Sequence, residues 1–249
     1  MTGKFRSRLA AGERLFGTMV TLPTPSTAEI LADVGFDWLF IDGEHGPFDM
    51  GDIVAILQAV GDRVACIVRV PVAEEAPIKR VLDVGAEGII CPQVNTPELA
   101  ANVVRWSRYA PEGLRGVGLG RAHGYGMKFQ EYVDTANQQV TVIVQAEHAQ
   151  AVENIEAIAA IAGVDAVLLG PYDLASSYNK MGLIDDPQVT GAIDRITDVC
   201  QAANMPLGYF GVTADAVRPF VERGYQLIVT GVDTVFLGSA AKKTLSQLQ

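Results

Sequence analysis

Phe36 to Asp49 reads FDWLFIDGEHGPFD. Trp38 to Ile41 is an apolar run, and it ends abruptly in Asp42, Gly43, Glu44, His45 and Gly46. A short, wholly apolar run of this kind reads as a strand buried on both faces. Three ionisable groups in four residues, between glycines and straight after such a strand, are hard to explain as packing. In parallel α/β folds the C-terminal ends of the strands are where ligands bind. Taken alone, the loop reads equally well as a solvated strand-to-helix connection; several later strands that end the same way shift the balance.

Working outward, one pattern recurs: a helical segment ends at glycine, an acidic or polar residue often follows, and an apolar run begins. It appears at Gly35 to Asp42 (GFDWLFID), Gly85 to Pro92 (GAEGIICP), Gly163 to Gly170 (GVDAVLLG) and Gly224 to Gly231 (GYQLIVTG). Glycine suits the left-handed cap that closes a helix. Filling the gaps predicts strands over Gly17 to Leu22, Trp38 to Asp42, Val64 to Val70, Gly88 to Val94, Val140 to Ala146, Ala166 to Gly170, Pro206 to Phe210 and Leu227 to Thr230. Helices are expected between them, with Ser26, Thr96 and Thr213 as N-caps, one over Ala149 to Ile161, and a last one from Val235 towards Leu248. Eight alternating units predict an α/β fold, a single (β/α)8 TIM barrel over residues 1–249, with a doubly wound sheet as runner-up. Gly113 to Phe129 (GLRGVGLGRAHGYGMKF) breaks the rhythm. A long glycine-rich stretch inside a compact domain is functional or mobile, so it reads as a lid or rim over the mouth.

Composition narrows the function classes. With 49% hydrophobic residues the 249-residue chain has ample material for one large core, and 29 Asp+Glu against 19 Lys+Arg give a net charge of -10. An acidic chain without a basic run is a poor partner for nucleic acid or an anionic membrane. No apolar stretch is long enough to span a bilayer, and the N-terminus lacks the apolar core of a signal peptide. Cys66, Cys91 and Cys200 are far apart and odd in number, which points to reduced core thiols in a cytoplasmic protein.

Closed into a barrel, the strand-end polar residues share one face: Asp42, Glu44 and His45; Arg69; Gln93 and Asn95; Gln145, Glu147 and His148; Tyr172 and Asp173. Glu147 and Asp173, on adjacent strands, favour a hard divalent ion such as Mg²⁺ or Mn²⁺ and leave coordination positions open for substrate. Asp173 alone reads equally as a cap of the turn after its strand. Arg69 must meet an anion: Asp42, a substrate oxygen, or both at once. His45 is the candidate general acid or base, because imidazole exchanges a proton near neutral pH. His148 reads as structural or rim, His123 as solvated, and Asp83 as surface on pattern alone. A metal, an arginine and a histidine suit aldol chemistry on a 2-oxo acid, in which an enolate is stabilised as a C–C bond breaks. No lysine stands among these strand ends, which argues against a Schiff-base route.

The chain resembles the HpcH/HpaI-type metal-dependent (class II) pyruvate aldolases, which are 2-oxo acid lyases. The resemblance rests on GFDWLFIDGEHGPFD, VRVP at Val68 to Pro71, VLDVGAEGIICPQVNTPELA from Val81, LRGVG at Leu114 to Gly118, QAEHAQAVENIEAI from Gln145 and GPYDLASS from Gly170. It implies a (β/α)8 barrel in a homo-oligomer, a hexamer built from dimers that exchange the C-terminal helix. It implies Glu147 and Asp173 as metal ligands, with Co²⁺ or Zn²⁺ as alternatives to Mg²⁺ or Mn²⁺. His45 matches the base, Arg69 the enolate-stabilising residue, and Asp83 the acid that orients the histidine. Gln145, Tyr172 and Asp173 match positions that hold pyruvate, and Asp42 supports them. The implied reaction cleaves a 4-hydroxy-2-oxo acid to pyruvate, or a close analogue, and an aldehyde. Met19, where many members carry tryptophan, and LGRAHGYG after LRGVG depart from the pattern and put the aldehyde partner in question. Rival expectations are oxaloacetate-type decarboxylation or C–C bond formation through the same enolate, and a phosphate-binding isomerase using the glycine turns of GYFGVTAD and VTGVDT.

Overall fold

The computed structural model describes residues 4–249. In chain order the elements are α1 (Lys4–Ala10), β1 (Leu15–Val20), α2 (Pro25–Val34), β2 (Trp38–Asp42), α3 (Met50–Val60), β3 (Ala65–Arg69), α4 (Glu75–Asp83), β4 (Gly88–Cys91) and α5 (Pro97–Ser107). After a 3₁₀ turn at Arg121–Gly126 come α6 (Phe129–Gln139), β5 (Thr141–Ala146), α7 (Ala149–Glu153), α8 (Ile155–Ala159), β6 (Ala166–Leu169) and α9 (Pro171–Ser177). The chain continues with α10 (Pro187–Ala202), β7 (Leu207–Gly211), α11 (Ala214–Glu222), β8 (Leu227–Val232) and α12 (Asp233–Ser246). The eight strands close in sequential order, every pair parallel, with β8 back against β1. The expected (β/α)8 barrel is therefore the architecture, and the doubly wound alternative is excluded.

Two apolar layers hold it. The helix-facing side chains of the strands pack against the surrounding helices in one large cluster that includes Leu39, Ile41, Val68, Ile89, Val142 and Val167. The inward-facing set, offset by one residue as the pleat requires, fills the barrel with Trp38, Phe40, Ile67, Ile90, Ile143 and Leu168. α1 plugs the N-terminal end, where Phe5 lies 5.6 Å from the Trp38 ring. Register places Asp42 beside Arg69. Both lie two residues above Phe40 and Ile67 on the same inward face, so the inner core gives way to charge only at the last layer of the mouth.

Several local expectations are corrected. Thr24, not Ser26, precedes α2, and Pro25 opens that helix. The helix expected over Ala149 to Ile161 breaks at Asn154, whose side-chain amide donates to the Asn95 carbonyl at 2.9 Å. His123 is fully buried rather than solvated. The Gly113 to Phe129 segment does not cross the mouth of its own barrel. Arg121 donates to the carbonyls of Val84 and Leu57, where α4 and α3 end. Helices return from the mouth in this fold, so these contacts lie at the opposite end.

α12 is unlike the other helices. From Thr234 onward it is exposed, Phe236 and Leu237 included. Its start is nonetheless fixed. The buried Asp233 carboxylate accepts from the Thr21 amide (3.0 Å), the Thr21 hydroxyl (2.7 Å), the Leu22 amide (2.8 Å) and the Thr234 amide (2.8 Å). None of the helices among the described residues is long and apolar enough to cross a membrane.

Candidate active site

The loop after β2 is a tight turn built on Asp42. Gly43 donates to the Arg69 carbonyl and Gly46 to the Asp42 carbonyl, each at 3.0 Å. A Cβ on either glycine would sit 2.6 Å or less from the oxygen it bonds, which explains the GEHG spacing. The Asp42 side chain accepts from the Glu44 and His45 amides at 3.2 Å. It also takes both ends of the Arg69 fork, Nε at 2.8 Å and Nη2 at 2.7 Å. Such a bidentate charged pair fixes the plane of the guanidinium. Arg69 was expected to meet Asp42, a substrate oxygen, or both; it meets Asp42 through Nε and Nη2, which leaves Nη1 for other partners.

From that Nη1 a buried network runs across the barrel. Nη1 lies 3.1 Å from a Glu44 oxygen and donates to Gln145 Oε1 at 3.4 Å. The Gln145 amide donates in turn to Glu147 Oε2, and Glu147 Oε1 accepts the Gln93 amide at 2.8 Å. Gln93 has a φ of 53°, left-handed backbone that a non-glycine residue rarely adopts. That conformation aims its N–H at Glu147. Gly170 lines the other side of the carboxylate; a Cβ there would lie 2.5 Å from Oε2.

Glu147 is buried, and burial first, then the charges of Asp173 and Glu44, pushes its pKa up to about 7. Glu44 is also raised, chiefly by burial. Asp173 sits in the first turn of α9 but makes no capping bond there, and its side chain is exposed at the mouth. Glu44, Glu147 and Asp173 thus face a single guanidinium already committed to Asp42. This surplus of carboxylate oxygen is the donor chemistry of a hard divalent cation. Two acidic ligands fall short of a closed cage; no cluster of three or more His, Cys, Asp or Glu suited to a metal stands among the described residues.

These groups border a cavity of about 210 Å³ that brings together Asp42, His45, Arg69, Gln145, Glu147, Tyr172 and Asp173. The rest of its lining includes an apolar set, Met19, Phe40, Leu168 and Phe210. It is smaller than the 300–1,000 Å³ typical of drug-sized ligands, a match for a small acid. His45 is largely exposed at the rim, its Nε2 3.7 Å from Glu44. His148 caps α7, its Nδ1 accepting from the Gln150 amide at 3.1 Å, as its structural reading anticipated. Asp83 is not with this set. It ends α4 and pairs with Arg115 at 2.8 Å, at the other end of the barrel from His45. Two contributors escaped the sequence reading: the left-handed backbone of Gln93, and Glu44 as a partner of Arg69. Glu44 and Gln93 were both visible as strand-end polar residues; the left-handed backbone of Gln93 carried no signal.

The β8 turn does not form a phosphate cradle. The Phe236 ring covers Gly231, where a Cβ would lie 2.0 Å from the ring edge, and the buried Asp233 carboxylate follows directly.

Comparison with known proteins agrees with this geometry. The family model HpcH/HpaI aldolase/citrate lyase matches residues 16–240. A 4-hydroxy-2-oxovalerate aldolase from Rhodococcus jostii (strain RHA1) is 40% identical over 242 residues, covering 96% of this chain and 92% of the relative. A 5-keto-4-deoxy-D-glucarate aldolase from Enterobacter sp. (strain 638) is 39% identical, covering 96% and 94%. Among solved structures, an HpcH/HpaI aldolase/citrate lyase family protein from Burkholderia cenocepacia J2315 superposes with a TM-score of 0.95 at 39% identity, covering 99% of each chain. With match, overlap and strand-end chemistry in agreement, the chain belongs to the HpcH/HpaI aldolase/citrate lyase family.

Proposed function

We propose that residues 1–249 form a single class II pyruvate aldolase domain, a carbon–carbon lyase that cleaves a 4-hydroxy-2-oxo acid reversibly to pyruvate, or a close analogue, and an aldehyde. The observation that carries this reading is the buried Glu147 carboxylate, faced by Asp173 and linked through Gln145 to Arg69 in a small cavity at the strand ends.

Glu147 and Asp173 would hold the cation, Mg²⁺ or Mn²⁺ by preference and Co²⁺ or Zn²⁺ as alternatives. When bound, it supplies a Lewis acid for the carboxylate and keto oxygens of the 2-oxo acid. Gln145 and the backbone at Tyr172 and Asp173 orient the acid. His45, directly or through a water, takes the proton of the C4 hydroxyl. The C3–C4 bond breaks, its electrons form the C2–C3 double bond, and charge grows on the C2 oxygen. Arg69 Nη1 meets that charge, held in place by the Asp42 fork. A proton delivered to C3 then completes pyruvate. Phe40, stacked under the guanidinium with its ring centre 5.2 Å from Cζ, closes the floor of the site against water.

A role for Asp83 in orienting His45 requires a second chain, because within one chain the two stand at opposite ends of the barrel. We infer a homo-oligomer in which a neighbour supplies it, and in which the uncovered α12 packs on a partner barrel, as in the expected hexamer with exchanged C-terminal helices. The three cysteines are buried, and burial pushes the Cys66 and Cys200 thiols up to about 12, in keeping with a reducing, cytoplasmic setting. Decarboxylation of oxaloacetate would use the same enolate-stabilising groups and is the second reading. The covered β8 turn speaks against the phosphate-binding isomerase.

The test is exchange of the pyruvate methyl protons in deuterated water, with Mg²⁺ or Mn²⁺ and then with chelator, followed by cleavage of 4-hydroxy-2-oxo acids and of oxaloacetate. Metal-dependent exchange with cleavage faster than decarboxylation is expected. Exchange that persists at full rate in chelator would sink the metal assignment, and faster decarboxylation would favour the second reading.

A further inference from the structure

The glycine-rich segment between α5 and α6 performs a task that its composition did not disclose. Arg115, in its LRGVG portion, has a side chain with 0% exposure. The guanidinium lies over the Tyr109 ring at 4.5 Å and near the Tyr132 ring at 5.5 Å. Nη1 donates to the Tyr132 hydroxyl at 3.2 Å, and Nε is buried with no hydrogen bond. Nη2 donates to Asp83 Oδ1 at 2.8 Å. Oδ2 of Asp83 takes no hydrogen bond among the described residues, and the side chain stays 24% exposed.

The aromatic walls are themselves braced. The Tyr109 hydroxyl meets His123 Nε2 at 2.9 Å, and the His123 ring stacks on Phe129 at 5.6 Å. The Asn137 side chain takes both backbone groups of Tyr109, at 2.7 and 3.0 Å. On the helix side, Gly120 packs so closely that a Cβ would lie 2.6 Å from the Asp83 carbonyl.

An ordinary exposed ion pair contributes little to stability and warrants no such enclosure. Burying a guanidinium and leaving one of its N–H groups unpaired costs stability. What the arrangement secures is position: one carboxylate oxygen is clamped by Arg115, and the other is left without a hydrogen bond among the described residues on a partly exposed side chain. We propose that Arg115 is the positioning residue for Asp83, holding it as a rigid, outward-facing acceptor for the imidazole of His45 in a neighbouring copy. The proposal rests on the reading that Asp83 serves His45. On it, the glycine-rich segment is a mount for the carboxylate that orients the base rather than a lid.

The test is a double-variant cycle on the metal-loaded oligomer, with 4-hydroxy-2-oxopentanoate as probe and kcat and KM measured separately. Oligomer size and thermal midpoint are recorded alongside. Asp83→Asn is expected to lower kcat about 100-fold. Arg115→Met is expected to lower it about tenfold with KM within a factor of two, and the double variant is expected to be no slower than Asp83→Asn alone. Should Arg115→Met fail to fold, Arg115→Lys carries the test, with a loss of about threefold that likewise vanishes in the Asp83→Asn background. Losses that multiply in the double variant, or full kcat in both Arg115 variants while Asp83→Asn is slow, would overturn the positioning role and leave the Asp83 reading intact. Full kcat in Asp83→Asn would remove the reading and the inference together.

Discussion

The mouth of this barrel has two unlike arcs. From β2 through β6 its strand ends carry Asp42, Arg69, Gln145 and Glu147, with Asp173 beyond; from β7 round to β1 they carry Phe210 and Met19, with Asp233 just past the end of β8. Both arcs contain a buried carboxylate, and the contrast between the two is instructive. Asp233 spends both oxygens on the backbone and hydroxyl groups that tie β1 to α12. Glu147 receives one amide on each oxygen and is left short of donors beside two more acids. A carboxylate that is satisfied is architecture; one that is under-satisfied, with its pKa raised, is poised to take a cation or a proton. On the proposed function, one arc handles the acid and the other shapes the space where the aldehyde leaves.

This division is sharpened or broken by five measurements. The largest effect is expected for Glu147→Gln, which should lower metal-dependent pyruvate exchange by about 10³-fold or more while the fold survives; retention of more than a tenth of the activity would dissolve the distinction between the arcs. Next, Arg69→Lys should cost about 10²-fold in kcat, because a point charge cannot both replace the bidentate fork on Asp42 and meet the enolate oxygen. Third, Glu147 in the metal-free protein holds its proton up to about pH 7. A metal must displace that proton below pH 7, so affinity should fall about tenfold per unit as pH drops below 7 and level off above it, as calorimetry in two buffers would show. The sign for the metal-free fold is opposite. The native state binds the proton more tightly than the unfolded chain, so the thermal midpoint in chelator should decline as pH rises from 4.5 through 7. The smallest effect is expected on the apolar arc. Met19→Ala should leave pyruvate exchange within about threefold while changing the preference between short and long aldehydes about tenfold; an equal loss of exchange would make Met19 part of the acid-binding half.

The same contrast explains what was legible in the sequence. The strands were, because each is an apolar run closed off by glycine and acid, and β2 falls on its predicted bounds. The charged arc followed, since its residues sit in sequence directly at those strand ends. Short or polar helices were not. α9 is seven residues hidden inside GPYDLASS, and α6 (FQEYVDTANQQ) has too little apolar periodicity to stand out. The Asp83–Arg115 pair spans 32 residues and a glycine-rich stretch, with no pattern to link them. Gln93 depends on a backbone angle that no residue type announces.

The projecting α12 has a consequence for how the protein matures. Its apolar residues Leu237 and Leu245 find no cover on their own barrel, so in the homo-oligomer inferred above a chain that has closed its eight strands has not finished folding. On the inferred homo-oligomer, the last step is a collision between chains. Its rate grows with concentration while the earlier steps do not. Refolding on dilution from denaturant should return barrel secondary structure at a rate independent of protein concentration. Enzyme activity should return later, by second-order kinetics, so that a cell making little of this protein would hold folded barrels that are not yet enzymes.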